Sequence, residues 1–337
     1  KEAELAYYAA RNVKEKVASC RNEITTIEAK MANVTYDEKC LLEGANVICT
    51  TLNSCCALSS KISRMDVCII DEATQCNEPT SLIPLQFGVK SLILVGDTKQ
   101  LPSTVVSEIA KQYNYDQSLF QRLQKSYEST KELENPILQL TTQYRMHPDI
   151  LHWPNEYFYK NCLQSDESIK KITFPLKPYT VFNLNFSQTA HTGQKHISNV
   201  NEAKFVRNLL NFLVTKADPK LNSYGIISAY SQQKDDLSKD LNQSHPYVSV
   251  NTIDSCQGQE RDIVIISIAR TRGIGFLAIK QRLNVALTRA KKMLILCGNF
   301  DSLQNHPMWT SLLDDARKRK MYVQLPTVND DSLFTYF

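Results

Sequence analysis

The sequence predicts an α/β fold with parallel sheets flanked by helices, and three observations carry that prediction. Short continuous apolar runs recur, at residues 67–70, 91–95 and 263–268, the pattern of strands buried on both faces. Between them lie segments whose apolar residues return every three to four positions, the period of a helix. With 42% hydrophobic and 22% charged side chains in 337 residues, the chain has the composition of a globular protein long enough for two cores.

Residues 1–45 are polar and rich in Ala, Lys and Glu. Leu5, Ala9, Val13 and Val17, then Ile24, Ile27 and Met31, recur at helical spacing, which predicts a helical arm of one long helix or two. Residues 45–51, Ala-Asn-Val-Ile-Cys-Thr-Thr, read as a strand ending in the hydroxyls of Thr50 and Thr51. Such hydroxyls either cap the next helix or contact a phosphate backbone. Residues 67–70, Val-Cys-Ile-Ile, form the central strand, and Asp71 and Glu72 close it. In open α/β sheets ligands lie beyond the carboxyl ends of strands. There one carboxylate can hold Mg²⁺ while its neighbour deprotonates a water for attack on phosphorus; a pair of solvated acids is the plainer alternative.

Residues 91–95 give the next strand. Gly96 then allows a sharp turn, and Gln100 beyond it is within reach of a phosphate oxygen or an attacking water. Residues 103–135 read as helix and charged connector, which places a domain boundary after Pro136. The second half restarts with a strand at 137–140. Helix 201–216, strand 224–228, helix 232–241, strands 248–252 and 263–268, helix 283–290, strand 293–297 and helix 309–318 follow. This alternation is that of a doubly wound domain.

The remaining bulk properties decide less. A net charge of +4 and a pI near 8.4 permit a nucleic-acid partner without requiring one. Ten cysteines occur without any Cys-x-x-Cys spacing, which argues against a zinc site and predicts reduced, mostly buried thiols in an intracellular protein. No apolar run approaches the roughly 18 residues of a membrane span.

Taken in order, Asp71-Glu72-Ala73-Thr74-Gln75, Gly96-Asp97 with Gln100-Leu101-Pro102, Gln143 through Pro148, Asp254 with Gln257-Gly258-Gln259-Glu260, and Leu283 through Lys291 resemble the motifs of superfamily 1 helicases. The branch is that of the nonsense-mediated-decay RNA helicase and senataxin, and Ile274 through Ala278 with Gln281 through Asn284 is most similar to the senataxin type. The resemblance spans about residues 45 to 325. It implies two RecA-like domains, residues 46–136 completing the first and 137–337 forming the second, with ATP in the cleft between them. The arm of residues 1–45 would be part of an insertion in the first domain.

By this resemblance Asp71 holds Mg²⁺, Glu72 activates water and Gln100 senses the γ-phosphate. Arg145 and Arg289 supply guanidinium forks, which match phosphate oxygens and raise phosphoryl-transfer rates about 10³- to 10⁵-fold. Tyr144 stacks on adenine, although by itself an aromatic there reads as core. Glu260, beside Gly258, bonds the ribose. Thr252 and Gln257, with Thr50 and Thr51, face the nucleic-acid strand. His147, next to Pro148, reads as structural, Lys291 as helix-surface charge, and Lys318-Arg319-Lys320 as a solvated helix end or a backbone contact. The activity implied is 5′-to-3′ translocation on RNA and RNA-DNA hybrids in the nucleus, serving R-loop resolution and transcription termination, with transcription or RNA-processing proteins as partners. A cytoplasmic RNA-remodelling helicase and a catalytically dead binding scaffold are the alternatives.

Three departures stand out. No glycine is followed by lysine, so the family's Walker A loop is missing, which predicts a fragment that hydrolyses ATP hardly at all. Ser103 replaces a frequent proline, and Cys256 replaces a usual aromatic.

Overall fold

The computed structural model describes residues 19–27, 38–62, 64–130, 135–172, 174–185, 190–191 and 197–325. They form two compact units, one of residues up to Gly96 with Ser103–Leu123, the other of Asp97–Pro102 with the residues from Gln124 onward.

In the first unit, residues 19–27 are helical and α1 spans Glu38–Gly44. Leu5, Ala9, Val13, Val17 and Met31 of the expected arm lie outside the described residues. Strands β1 (Val67–Ile70) and β2 (Ser91–Leu94) pair in parallel, Ile69 opposite Ile93. Between them α2 (Glu78–Leu82) starts at Asn77, whose Oδ1 accepts the Thr80 N–H at 3.2 Å, and Arg122 on α3 (Leu119–Ser129) reaches Glu78 with two bonds of 2.7 and 2.8 Å. Strand burial differs from expectation. Ile70 is buried, but Ile69 is 64% and Ile93 48% exposed, in a sheet that has two strands among the described residues. Residues 45–51 are not a strand; Val47 is exposed and no described strand pairs with this stretch.

The second unit is built on a six-stranded parallel sheet. Its elements are α4 (Pro148–Tyr159), β3 (Tyr179–Asn183), α5 (Val200–Lys216), β4 (Tyr224–Ser228), α6 (Ser231–Ser244), β5 (Ser249–Thr252), β6 (Arg261–Ser267), α7 (Lys280–Leu287), β7 (Ala290–Gly298), α8 (Pro307–Lys318) and β8 (Tyr322–Gln324). The strand order is β8-β3-β7-β6-β4-β5. Alternate residues of β6 and β7 face opposite layers. Val264, Ile266, Leu294 and Leu296 pack with Trp153 and Trp309 in one, while Ile263, Ile265, Met293 and Ile295 join α5 and α6 in the other. Each fully buried large side chain stabilises the fold by about 1.5–3 kcal/mol, so this doubly wound core holds the unit together.

Three further expectations are corrected. Residues 137–140 are not a strand, and Leu138 and Leu140 are exposed, since the first strand pairing of this region is Thr142–Gln143 with Gln164–Ser165. Ala290 opens β7 instead of closing a helix. All ten cysteines are free, but only Cys20, Cys55, Cys256 and Cys297 are buried. Among the described residues no helix is long and apolar enough to cross a membrane.

One buried acid marks the carboxyl end of β6. Asn199 caps α5 by accepting the Glu202 N–H at 3.1 Å. The Glu202 side chain turns inward, where Oε1 accepts Ser267 Oγ–H at 2.6 Å and the Ala269 N–H at 2.8 Å. Ala269 has φ +61°, a left-handed conformation costly for a residue with a Cβ.

Candidate nucleotide site

In the first unit the acidic pair follows β1 directly. The turn is held to β2 by Val95 N–H on Ile70 O at 2.8 Å and Ala73 N–H on Val95 O at 2.7 Å. Asp71 Oδ1 accepts the Glu72 N–H at 2.9 Å. Glu72 itself has φ +51°, a strain of about 1–2 kcal/mol for a residue with a Cβ, and Gln75 Nε2 donates to its Oε2 at 2.6 Å. Both carboxylates are exposed. Gly96 is needed for space rather than for a left-handed turn: a Cβ there would stand 3.0 Å from Thr74 Cγ2 and 3.1 Å from its backbone nitrogen. Thr51 does local work, its Oγ1 lying 2.9 Å from Ser54 Oγ and accepting the Ser54 N–H at 3.4 Å. Thr50 is an exposed neighbour whose hydroxyl donates to Thr51 O at 3.4 Å.

A single carboxylate is no metal cage, yet Asp71 fits the way Mg²⁺ is held beside nucleotides. This ion keeps most of its waters and takes one or two carboxylates plus phosphate oxygens. Oδ2 of Asp71 carries no hydrogen bond among the described residues, and the side chain is open to solvent.

In the second unit a polar cluster gathers residues from distant parts of the chain. Gln143 secures the turn after its short strand. Its Oε1 accepts the Arg145 and Met146 N–H groups at 2.9 and 2.7 Å, while Nε2 donates to Met146 O and Ser165 Oγ, both at 2.7 Å. Arg145 is thereby presented to Glu260, Nε to Oε2 at 2.6 Å, and to Thr288 O at 3.3 Å. Lys291 takes the other Glu260 oxygen at 2.6 Å, so it is a strand residue in an ion pair and not helix-surface charge. These two cations hold the Glu260 carboxyl below the usual carboxylate range, the Lys291 bond contributing most.

Arg289 follows the end of α7 and is only 4% exposed. Burying a guanidinium is costly unless its donors are met. Here Nε meets Val285 O at 3.0 Å, Nη1 meets Gln259 O at 3.4 Å, and Nη2 meets Thr288 Oγ1 at 3.0 Å and Gln100 Oε1 at 3.3 Å. Thus Gln100, Arg145, Arg289 and Glu260 come together. Tyr144, beside Arg145, is 67% exposed, not a core aromatic.

The neighbouring turn carries the other expected residues. Thr252 Oγ1 lies 3.0 Å from Ser255 Oγ and accepts the Ser255 N–H at 3.3 Å. Gln257 Nε2 is buried without a partner among the described residues. Gly258 has φ +72° with open space around its Cα, so the left-handed backbone is what requires glycine there. Arg282 forms a two-bond pair with Asp254 at 3.0 and 2.9 Å. Cys256 is a core residue whose thiol burial pushes up to about 11. His147 is structural, its Nδ1 accepting the Asp149 N–H at 3.2 Å at the start of α4. Arg319 is no solvated helix end, since it bonds Asp149 and Asp315, both at 3.1 Å.

Sequence reading missed Lys291, the role of Gln143, and a trio of Asp97, Tyr159 and Asn284. The signal for Asn284 was its place between Leu283 and Val285-Ala286-Leu287, where a polar side chain must be buried.

Two models described as AAA domain match this chain, one over residues 1–108 and one over residues 115–301, the latter more than half its length. Helicase sen1 of Schizosaccharomyces pombe is 35% identical over 315 residues, covering 87% of this chain and 18% of that protein. The chain belongs to the AAA-domain helicase family of Sen1 and senataxin. Within that family, probable helicase senataxin of Homo sapiens is 39% identical over 267 residues, 74% of this chain and 10% of that protein. The chain therefore spans less than a fifth of the length of these two family members. The solved structure of PRRSV helicase, 17% identical, covers 70% of this chain and 35% of its own with a TM-score of 0.38.

Proposed function

We propose that this chain is the catalytic part of an ATP-driven motor that moves 5′ to 3′ on RNA and RNA-DNA hybrids. Family membership supports ATP use and a nucleic-acid partner. The observation that carries the site assignment is the buried Arg289 guanidinium with the Gln100 amide 3.3 Å away, brought together from positions 189 residues apart. Phosphoryl transfer asks little covalent chemistry of a protein and much positioning of charge. Mg²⁺, when bound at Asp71, neutralises charge on the phosphate oxygens.

The other roles fall to this chain's side chains. Glu72, aimed by its left-handed backbone and by Gln75, takes a proton from the attacking water. Arg145 and Arg289 meet the charge that develops on the transferred phosphoryl group, and Gln100 orients the water or the γ-phosphate. The exposed ring of Tyr144 offers a stacking face for adenine. Glu260, next to the left-handed turn at Gly258, binds the ribose by exchanging one of its two cationic partners. Thr252 and Gln257, whose Nε2 has no partner among the described residues, contact the strand backbone with Thr50 and Thr51. We assign the motor to the nucleus, in R-loop resolution and transcription termination. Strand binding without hydrolysis is a second reading for this stretch alone, favoured by the lack of any glycine-lysine pair in it.

The test is ATP hydrolysis by the full-length protein and by this chain, with single-stranded RNA or DNA, and unwinding of RNA-DNA hybrids bearing a 5′ or a 3′ overhang. Strand-stimulated turnover and unwinding from a 5′ overhang in the full-length protein are expected. Strand binding with no turnover in either form would favour the scaffold.

A further inference from the structure

Asp97, Tyr159 and Asn284 form a hydrogen-bonded relay that ends on Gln100. Asn284 is fully buried on α7. Its Nδ2 donates to Lys99 O at 2.9 Å and to Tyr159 OH at 2.8 Å. The Lys99 carbonyl can only accept, so the amide cannot be turned over without opposing two acceptors. Having accepted from Asn284, the Tyr159 hydroxyl donates to Asp97 Oδ2 at 2.7 Å. Burial, followed by the Asp97 charge, pushes this phenol well above its ordinary range, so it keeps its proton. Asp97 Oδ2 also accepts Gln100 Nε2 at 3.1 Å, and its Oδ1 accepts the Lys99 N–H at 2.8 Å. A carboxylate accepts only, so the NH₂ of Gln100 must face Asp97. That leaves the Gln100 carbonyl facing Arg289.

We propose that Asp97, Tyr159 and Asn284 are positioning residues for ATP hydrolysis: they fix the direction of the Gln100 amide and, through it, the placement of the Arg289 fork. The inference rests on the proposed ATPase. None of the three need touch the nucleotide. Tyr159 is the informative member, because replacing it with Phe removes one hydroxyl and leaves the ring.

The experiment is a double-mutant cycle in the full-length protein, with Tyr159→Phe and Arg289→Ala alone and together, reading kcat and KM for ATP. Tyr159→Phe is expected to lower kcat about tenfold, the scale of a small misplacement of a catalytic group, with KM within about twofold. In the Arg289→Ala background it is expected to cost clearly less, because one of the two groups it positions is gone. An equal loss in both backgrounds, or a lower melting temperature with unchanged kcat, would overturn the positioning role. A parent protein without ATPase would instead overturn the proposed function beneath it.

Discussion

At the scale of single residues, the site is marked by side chains whose local cost has a geometric return. Glu72 in a left-handed conformation is the clearest, as strained backbone of this kind concentrates where a group must be aimed. Glu72→Gly should stabilise the fold, by about 0.5–1 kcal/mol on relief of that strain, while removing turnover; a thermal melt without any gain would contradict the strain assignment. Glu72→Gln should abolish hydrolysis in the full-length protein and leave ATP binding intact, to be read by nucleotide titration beside turnover. Arg289→Ala should cost at least about tenfold in rate, with an unchanged rate counting against its role. Gly298 shows the opposite economy, since a Cβ there would stand 2.7 Å from Ile268 Cβ. Gly298→Ala should destabilise by about 1–3 kcal/mol, the usual cost of overpacking, as a shift in denaturation midpoint would show.

At the scale of elements, Glu202 ties α5 to the end of β6, and its carboxyl is raised from 4.5 to about 7, burial being the first cause. The folded state therefore holds this proton more tightly than the unfolded chain. The contribution is complete below about pH 4.5 and is lost as pH rises through about 7. Relative to Glu202→Gln, which keeps the shape without the titration, the parent should lose melting temperature across that window, and parallel profiles would sink the assignment. Strands β4, β6 and β7 were readable from sequence because both their faces are apolar. Strand β3 was missed although every residue of it is buried, since Tyr-Thr-Val-Phe-Asn mixes polar and apolar residues and follows Pro178. Residues 45–51 and 137–140 have the composition of strands and pair with no strand among the described residues, a tertiary fact no window of sequence contains. The acids and arginines of the proposed site were singled out by their motifs. The Asp97–Tyr159–Asn284 relay was not, because its bonds join residues 62, 125 and 185 positions apart.

At the scale of the whole molecule, the two units differ in how much apolar surface they bury. Among the described residues the first has a core of three buried apolar side chains, Cys55, Ile62 and Phe87, with partly buried neighbours, whereas the second packs both faces of a six-stranded sheet. Both tryptophans, Trp153 and Trp309, are buried in the second unit. Urea should therefore diminish far-UV dichroism before it alters tryptophan fluorescence, and coincident transitions would show one cooperative body instead.

The uncovered face of the first unit's sheet also governs how the chain behaves in bulk. Ile69 and Ile93 stand side by side, both exposed, on a sheet that has two strands among the described residues. Ribbons of that kind recruit one another as concentration rises. Solubility, rather than melting temperature, is then the property of this stretch most sensitive to its first hundred residues, and replacing Ile69 with lysine should raise the concentration at which it clouds.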